Sequence, residues 1–143
     1  MRTWTYPAHI ERHDEADYVV TFRDIPEIIT GGASLEEAIR NAEDALEEVF
    51  LSYLARGVAI PLPKPARKDE QSIILAPITA SRAALANLMR DQKITNVALA
   101  ARMGKSEGAI RRLMDGSANV KIDTVVEAMK ALGGKAIFSD ERV

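Results

Sequence analysis

ITNVALAARMGKSEGAIRRLMDG, residues 94–116, carries the spacing of two short helices joined by a tight turn. Thr95 is an N-cap, and Ile94 before it staples to Leu99, which fixes how the chain enters the first helix. Leu99, Ala100 and Met103 share an inward face. Gly104 supplies the left-handed geometry that ends this helix, and Ser106 caps the next. Ile110, Leu113 and Met114 recur at helical spacing to dock the second helix, and Gly116 closes it. A further amphipathic helix over 122–132 buries Val125, Val126, Met129 and Leu132 and stops at Gly133-Gly134, completing a small bundle.

Any helical hairpin in a bundle needs the same apolar spacing, so the charges decide between a packing motif and a binding one. With Ile110 and Leu113 inward, Glu107, Gly108, Arg111 and Arg112 lie on the outer face, where they are free to enter a DNA major groove. An arginine fork donates bidentately to guanine, and Glu107 can accept from cytosine. Lys105, Ser106, Ser117, Asn119 and Lys121 sit in the flanking turns, better placed to hold phosphates than to read bases. Over residues 78–133, through its LAxxMG, IxRLxxG and ALG elements, the chain resembles the lambda-repressor-like (Xre and Cro type) helix-turn-helix family. That resemblance puts the base readers at Asn96, Glu107, Gly108 and Arg112, with Arg111 beside them. Lys121 stands where the family usually has a serine-like cap, so either Asn119 caps the last helix or that helix starts irregularly.

The remaining composition bounds the partners. A chain of 143 residues with 47% hydrophobic content can build one core or two small ones. It has no cysteine, which removes disulfides, thiolate catalysis and cysteine-based zinc sites. No run of eighteen apolar residues occurs, and MRTWTYPAHIERH lacks the apolar stretch of an export signal, so a cytoplasmic protein with no membrane partner is expected. The net charge of −2 conceals a split: residues 1–70 hold 8 basic and 14 acidic side chains, a balance of −6, and residues 71–143 hold 11 and 7, a balance of +4. A basic half suits a polyanion; the acidic half suits a basic protein, although an acidic helix face such as Glu43, Asp44, Glu47 and Glu48 is also ordinary solvation.

Ahead of the bundle, 6–11 and 17–22 read as strands joined through His13-Asp14-Glu15-Ala16, with a third short strand over 28–30. Gly31-Gly32 breaks the chain and Ser34 caps a helix whose apolar stripe runs from Leu35 through Tyr53 to its end at Arg56. GVAIPLPKPARKDEQ then places three prolines in five residues, an extended, semi-rigid connection. Residues 72–76 read as a strand that returns to the first sheet.

This first part resembles the HicB family of antitoxins. The matching residues are Tyr18, Val20, Phe22, Asp24, Pro26, Thr30, Gly31, Leu35, Glu36, Glu37, Ala38, Asn41, Ala42, Ala45 and Leu46. The resemblance implies a partial ribonuclease-H-like fold that binds HicA, a small basic ribonuclease toxin, and blocks its mRNA cleavage. Toxin-contact candidates are the strand edge at Tyr18 and Phe22 and the turn with Asp24, Pro26 and Glu27.

The expected fold class is therefore α+β: a small partial ribonuclease-H-like βββαβ domain over 1–77, with its proline-rich linker at 57–71, followed by an all-α helix-turn-helix domain over 78–143 with a strand-like C-terminal tail, KAIFSD. The expected protein is an antitoxin that inhibits a HicA-like ribonuclease and represses its own operon as a homodimer or dimer of dimers on double-stranded operator DNA. A stand-alone repressor with a small-molecule-sensing first domain is the alternative. A metal-dependent nuclease would need Glu11, Asp17, Asp24 and Glu36 to converge. His9 and His13 sit near a strand end, and Trp4 and Tyr6 suit core or edge packing as well as base stacking, so neither catalysis, a metal nor a cofactor is expected.

Overall fold

The computed structural model describes residues 1–142 and divides the chain into two compact units, Met1–Ala80 and Ser81–Val143. In the first unit β1 (Thr5–Asp14), β2 (Asp17–Phe22) and β3 (Ile29–Gly32) run as a meander, α1 (Leu35–Arg56) follows, and β4 (Gln71–Ile74) returns beside β1. The sheet is antiparallel throughout, in the order β3-β2-β1-β4. Val20 stands opposite Ile10 and Thr30, and Tyr6 opposite Ile73. Alternation along each strand then sends Tyr6, Ala8, Val20, Phe22 and Ile73 into the core.

The opposing layer is α1, which buries Ala38, Ala42, Leu46, Phe50 and Tyr53 along one stripe. Ser34 caps it by accepting from the Glu37 amide at 3.1 Å, and the Glu37 carboxylate reaches back to the Ala33 amide. Gly57, at φ 65°, takes the left-handed conformation that ends it. Tyr6 meets Phe50 edge-on, with centroids 4.8 Å apart, so this aromatic pair is core rather than a stacking platform.

Three sequence expectations shift here. Asp14 accepts from the Ala16 amide, so the hairpin turns at Glu15-Ala16 and the strands extend further than the polar run suggests. Gly31 and Gly32 do not break the chain; they are strand residues, because a Cβ on Gly31 would lie 2.0 Å from the Tyr18 carbonyl oxygen and one on Gly32 2.6 Å from the Ala38 nitrogen. The proline-rich segment is no loose connection. Tyr6 donates to the Pro61 carbonyl, Arg23 to the Pro65 carbonyl and both Glu70 carboxylate oxygens, and Lys64 lies 3.4 Å from Asp24, so the segment is strapped to the sheet domain.

Helix α2 (Pro77–Gln92) begins in the first unit and continues into the second, where α3 (Asn96–Met103), α4 (Glu107–Met114) and α5 (Ile122–Ala131) complete a bundle. Its core holds Leu85, Leu99, Ile110, Leu113, Val125, Ala128, Met129 and Leu132. Ala128 is buried where Val126 was expected, and Val126 is half-buried. The KAIFSD tail forms no strand: residues 135–140 are irregular, with Ile137 and Phe138 exposed, since an isolated strand has no ladder to join. No helix among the described residues is long and apolar enough to cross a membrane.

Candidate functional site

Two regions gather the sequence-predicted site residues. The first is the α3–α4 pair. Thr95 accepts from the Ala98 amide at 3.1 Å to start α3, and Gly104, at φ 63°, ends it. Ser106 accepts from the Ala109 amide at 3.1 Å to start α4 three residues after α3 stops. Ile110 and Leu113 are buried against the bundle, so Arg111 and Arg112 stand in solvent on the opposite side. Glu107 and Gly108 are half-buried, and the Glu107 carboxylate lies 3.3 Å from the Arg111 guanidinium, an exposed pair one turn apart. Asn96 is half-buried at the first position of α3; Lys105, Ser106, Ser117, Asn119 and Lys121 are all exposed.

One detail of this region departs from expectation, and one alternative left open at Lys121 is decided. Asp115, not Gly116, closes α4, and its carboxylate accepts from the Ser117 hydroxyl at 2.7 Å and amide at 2.9 Å. Those bonds, the hydroxyl's first, hold the Asp115 carboxyl below its ordinary range, with Arg82 and Arg112 adding to the effect. Helix α5 begins at Lys121 with no side-chain cap hydrogen bond, so its start is irregular. Arg82 holds this region together although no sequence motif marks it. This buried guanidinium donates to the Leu113 carbonyl at 2.9 Å and the Ala118 carbonyl at 3.1 Å, tying the end of α4 to the loop that follows. Its only sequence signal is an arginine on an apolar helix face.

The second region is the sheet domain. Strand β2 lies between β1 and β3, so residues 17–22 are not an edge, and the edges are β3 and β4. Phe22 is 3% exposed and belongs to the core, which removes it from the toxin-contact candidates. Tyr18 is half-buried with the Arg12 guanidinium 5.8 Å over its ring. Asp24 is half-buried and paired with Lys64, while its second oxygen is enclosed without a hydrogen-bond partner. Burial, with the nearby Asp24 charge, raises the Tyr6 phenol above its ordinary range. Pro26 and Glu27 are exposed on a turn pinned from beneath by buried Ile25 and Ile28.

The carboxylates weighed for catalysis separate. Glu11 and Asp17 flank His13 at 3.6 and 3.7 Å, Asp24 faces Lys64, and Glu36 stands in the first turn of α1. Among the described residues no three His, Asp or Glu side chains converge as a metal site would require. Asn41, one of the motif residues, donates to the Gly31 carbonyl at 2.7 Å and so ties α1 to the β3 edge.

Residues 5–84 match the family described as HicB-like antitoxin of bacterial toxin-antitoxin system. The chain is 36% identical to antitoxin HicB 1 of Photorhabdus laumondii subsp. laumondii, over 99% of this chain and 90% of that protein. It is 38% identical to antitoxin HicB of Escherichia coli strain K12, over 90% of this chain and 93% of that one. Antitoxin HicB of Pseudomonas fluorescens is 29% identical, over 92% of each. With a family match over more than half its length and relatives aligned nearly end to end, the chain belongs to the HicB-like antitoxins of bacterial toxin-antitoxin systems.

Proposed function

We propose that this antitoxin divides two tasks between its units in the cytoplasm: the sheet domain binds and blocks a HicA-like ribonuclease toxin, and the helical unit binds operator DNA and represses the operon. On this reading the first unit is a partial ribonuclease-H-like domain and the second a lambda-repressor-like helix-turn-helix. The protein acts by occupancy rather than by catalysis.

The observation that carries the DNA reading is the position of Arg112, in solvent on the face of α4 opposite buried Ile110 and Leu113. Arg111, Glu107 and Gly108 share that outer side, and Asn96 begins the preceding helix. A bidentate arginine–guanine contact contributes about 1–3 kcal/mol of base discrimination. Exposed Lys105, Ser106, Ser117, Asn119 and Lys121 supply phosphate contacts, which set register and make affinity fall with salt. Two such helices on a two-fold dimer would read half-sites about 34 Å apart, which is why self-association is part of the proposal.

The test separates the two tasks. In a mobility-shift assay on the chain's own promoter, Arg112→Ala is expected to weaken binding roughly tenfold or more, the equivalent of one lost base contact. Growth rescue on co-expression with a HicA-like toxin gene is expected to persist. A folded Arg112→Ala protein that loses both activities contradicts the division.

A further inference from the structure

One face of the sheet packs on α1; on the other, toward the hairpin and β3, the side chains are exposed or half-buried. Alternation puts His9, Glu11 and His13 of β1, Val19 and Thr21 of β2, and Ile29 of β3 on that open face. Two independent observations fix the assignment. His13 lies between Glu11 and Asp17, so these share a side, whereas Arg12 turns the other way, over Tyr18. Register makes a continuous row of Ile29, Thr21 and His9 across three strands, all exposed, with Ile29 at 74%. In the next row Gly31 contributes no side chain beside Val19. The hairpin end is rimmed by exposed Glu11, Asp14, Glu15 and Asp17.

We propose that this open face, centred on Ile29, Thr21 and His9 and rimmed by the hairpin carboxylates, is where the toxin seats, through a cationic surface with an apolar centre. The inference rests on the antitoxin reading and moves its contact site from Tyr18, Phe22 and the 24–27 turn to the exposed face. Charge selects the occupant. A nucleic acid would be repelled by the rim, and a second copy of the chain stacked on the same face would bring like-charged rims together. A basic protein gains on both counts: the carboxylates speed encounter, and burial of Ile29 and Val19 supplies holding power. Pairing along the β3 edge is less suited, because Asn41 already occupies the Gly31 carbonyl.

The full chain is titrated with a HicA-like toxin, inactivated by replacing its catalytic histidine, in a calorimeter. Ile29→Asp and Thr21→Arg, both at exposed positions, are each expected to weaken binding by about 100-fold, the scale of a central contact, with operator affinity and melting temperature kept. Glu43→Lys with Asp44→Lys, on the exposed side of α1, is expected to leave toxin affinity within about threefold. If both face variants bind normally while the α1 variant loses binding, the surface is wrongly placed and the toxin partnership stands. If the face variants instead break a homo-oligomer in size-exclusion chromatography with toxin binding unchanged, a second copy covers the face and the proposal fails. If the unmodified chain binds no toxin, the antitoxin reading itself fails for this pair.

Discussion

Arg82 illustrates how one side chain can hold the proposed operator-binding surface without entering it. The last carbonyls of a helix lack intrahelical donors, and the Leu113 carbonyl near the end of α4 receives its bond from this guanidinium, as does the Ala118 carbonyl in the following loop. The charge is buried, so its removal strips two donors from carbonyls that water reaches poorly. Arg82→Met, which keeps the apolar stem, is expected to destabilise the helical unit by about 2–3 kcal/mol in urea unfolding followed by helical circular dichroism. It is also expected to weaken operator binding, because the loop bearing Ser117, Asn119 and Lys121 is no longer tied to α4. A loss below about 0.5 kcal/mol would mean that the two carbonyls find other donors and that Arg82 is dispensable.

Elements differ in how far local sequence specifies them. Helix α1 was legible because every signal is local: Ser34 at the cap, Glu37 three residues on, an apolar stripe and Gly57 at the end. The same holds for α3 and α4, whose caps at Thr95 and Ser106 and turn at Gly104 form as read. What failed is set at long range. Gly31 and Gly32 look like a chain break, yet they are required by the approach of the Tyr18 carbonyl and of α1. The interior position of β2 follows from β3 pairing along the side that β1 leaves open, a choice no pattern within 17–22 encodes. Phe22 is core because it alternates onto the same side of β2 as buried Val20, a side chosen by what the sheet packs against. The proline-rich segment read as a spacer because its anchors, Tyr6 and Arg23, are distant in sequence.

That strap makes an acid-sensitive element. The Arg67 amide, then the Arg23 guanidinium, bond the Glu70 carboxylate and hold its carboxyl below the ordinary glutamate range. A carboxyl lowered in the folded state stabilises above its unfolded value, about 4.3, and the contribution disappears as pH falls through the lower folded value. Glu70→Gln should therefore be less stable than the parent at pH 7, and the two melting curves should converge as pH drops below about 4. A gap that stays the same at pH 3 would show that the strap does not depend on this charge.

For the molecule as a whole, the question is where one unit can be cut from the other without loss. The boundary read from the proline run was 77/78, but Thr79 and Ala80 are buried, and the Thr79 hydroxyl donates to the Glu47 carboxylate on α1. The other Glu47 oxygen is enclosed without a hydrogen-bond partner, so the Thr79 hydroxyl offsets part of the carboxylate's desolvation. A cut after 77 removes that donor and opens the end of the α1 stripe; a cut after 84, where the family match also ends, keeps both within an intact helical turn. Fragment 1–84 is expected to exceed fragment 1–77 in stability by about 1–2 kcal/mol, read from Trp4 fluorescence in urea. Both should bind toxin if the sheet domain is self-sufficient, and neither should bind operator DNA. Replacing Thr79 by valine in 1–84 keeps the shape and deletes the donor, and should lower its stability toward that of 1–77. Equal stabilities of 1–77 and 1–84 would put the functional boundary at the prolines and make the Thr79–Glu47 bond incidental.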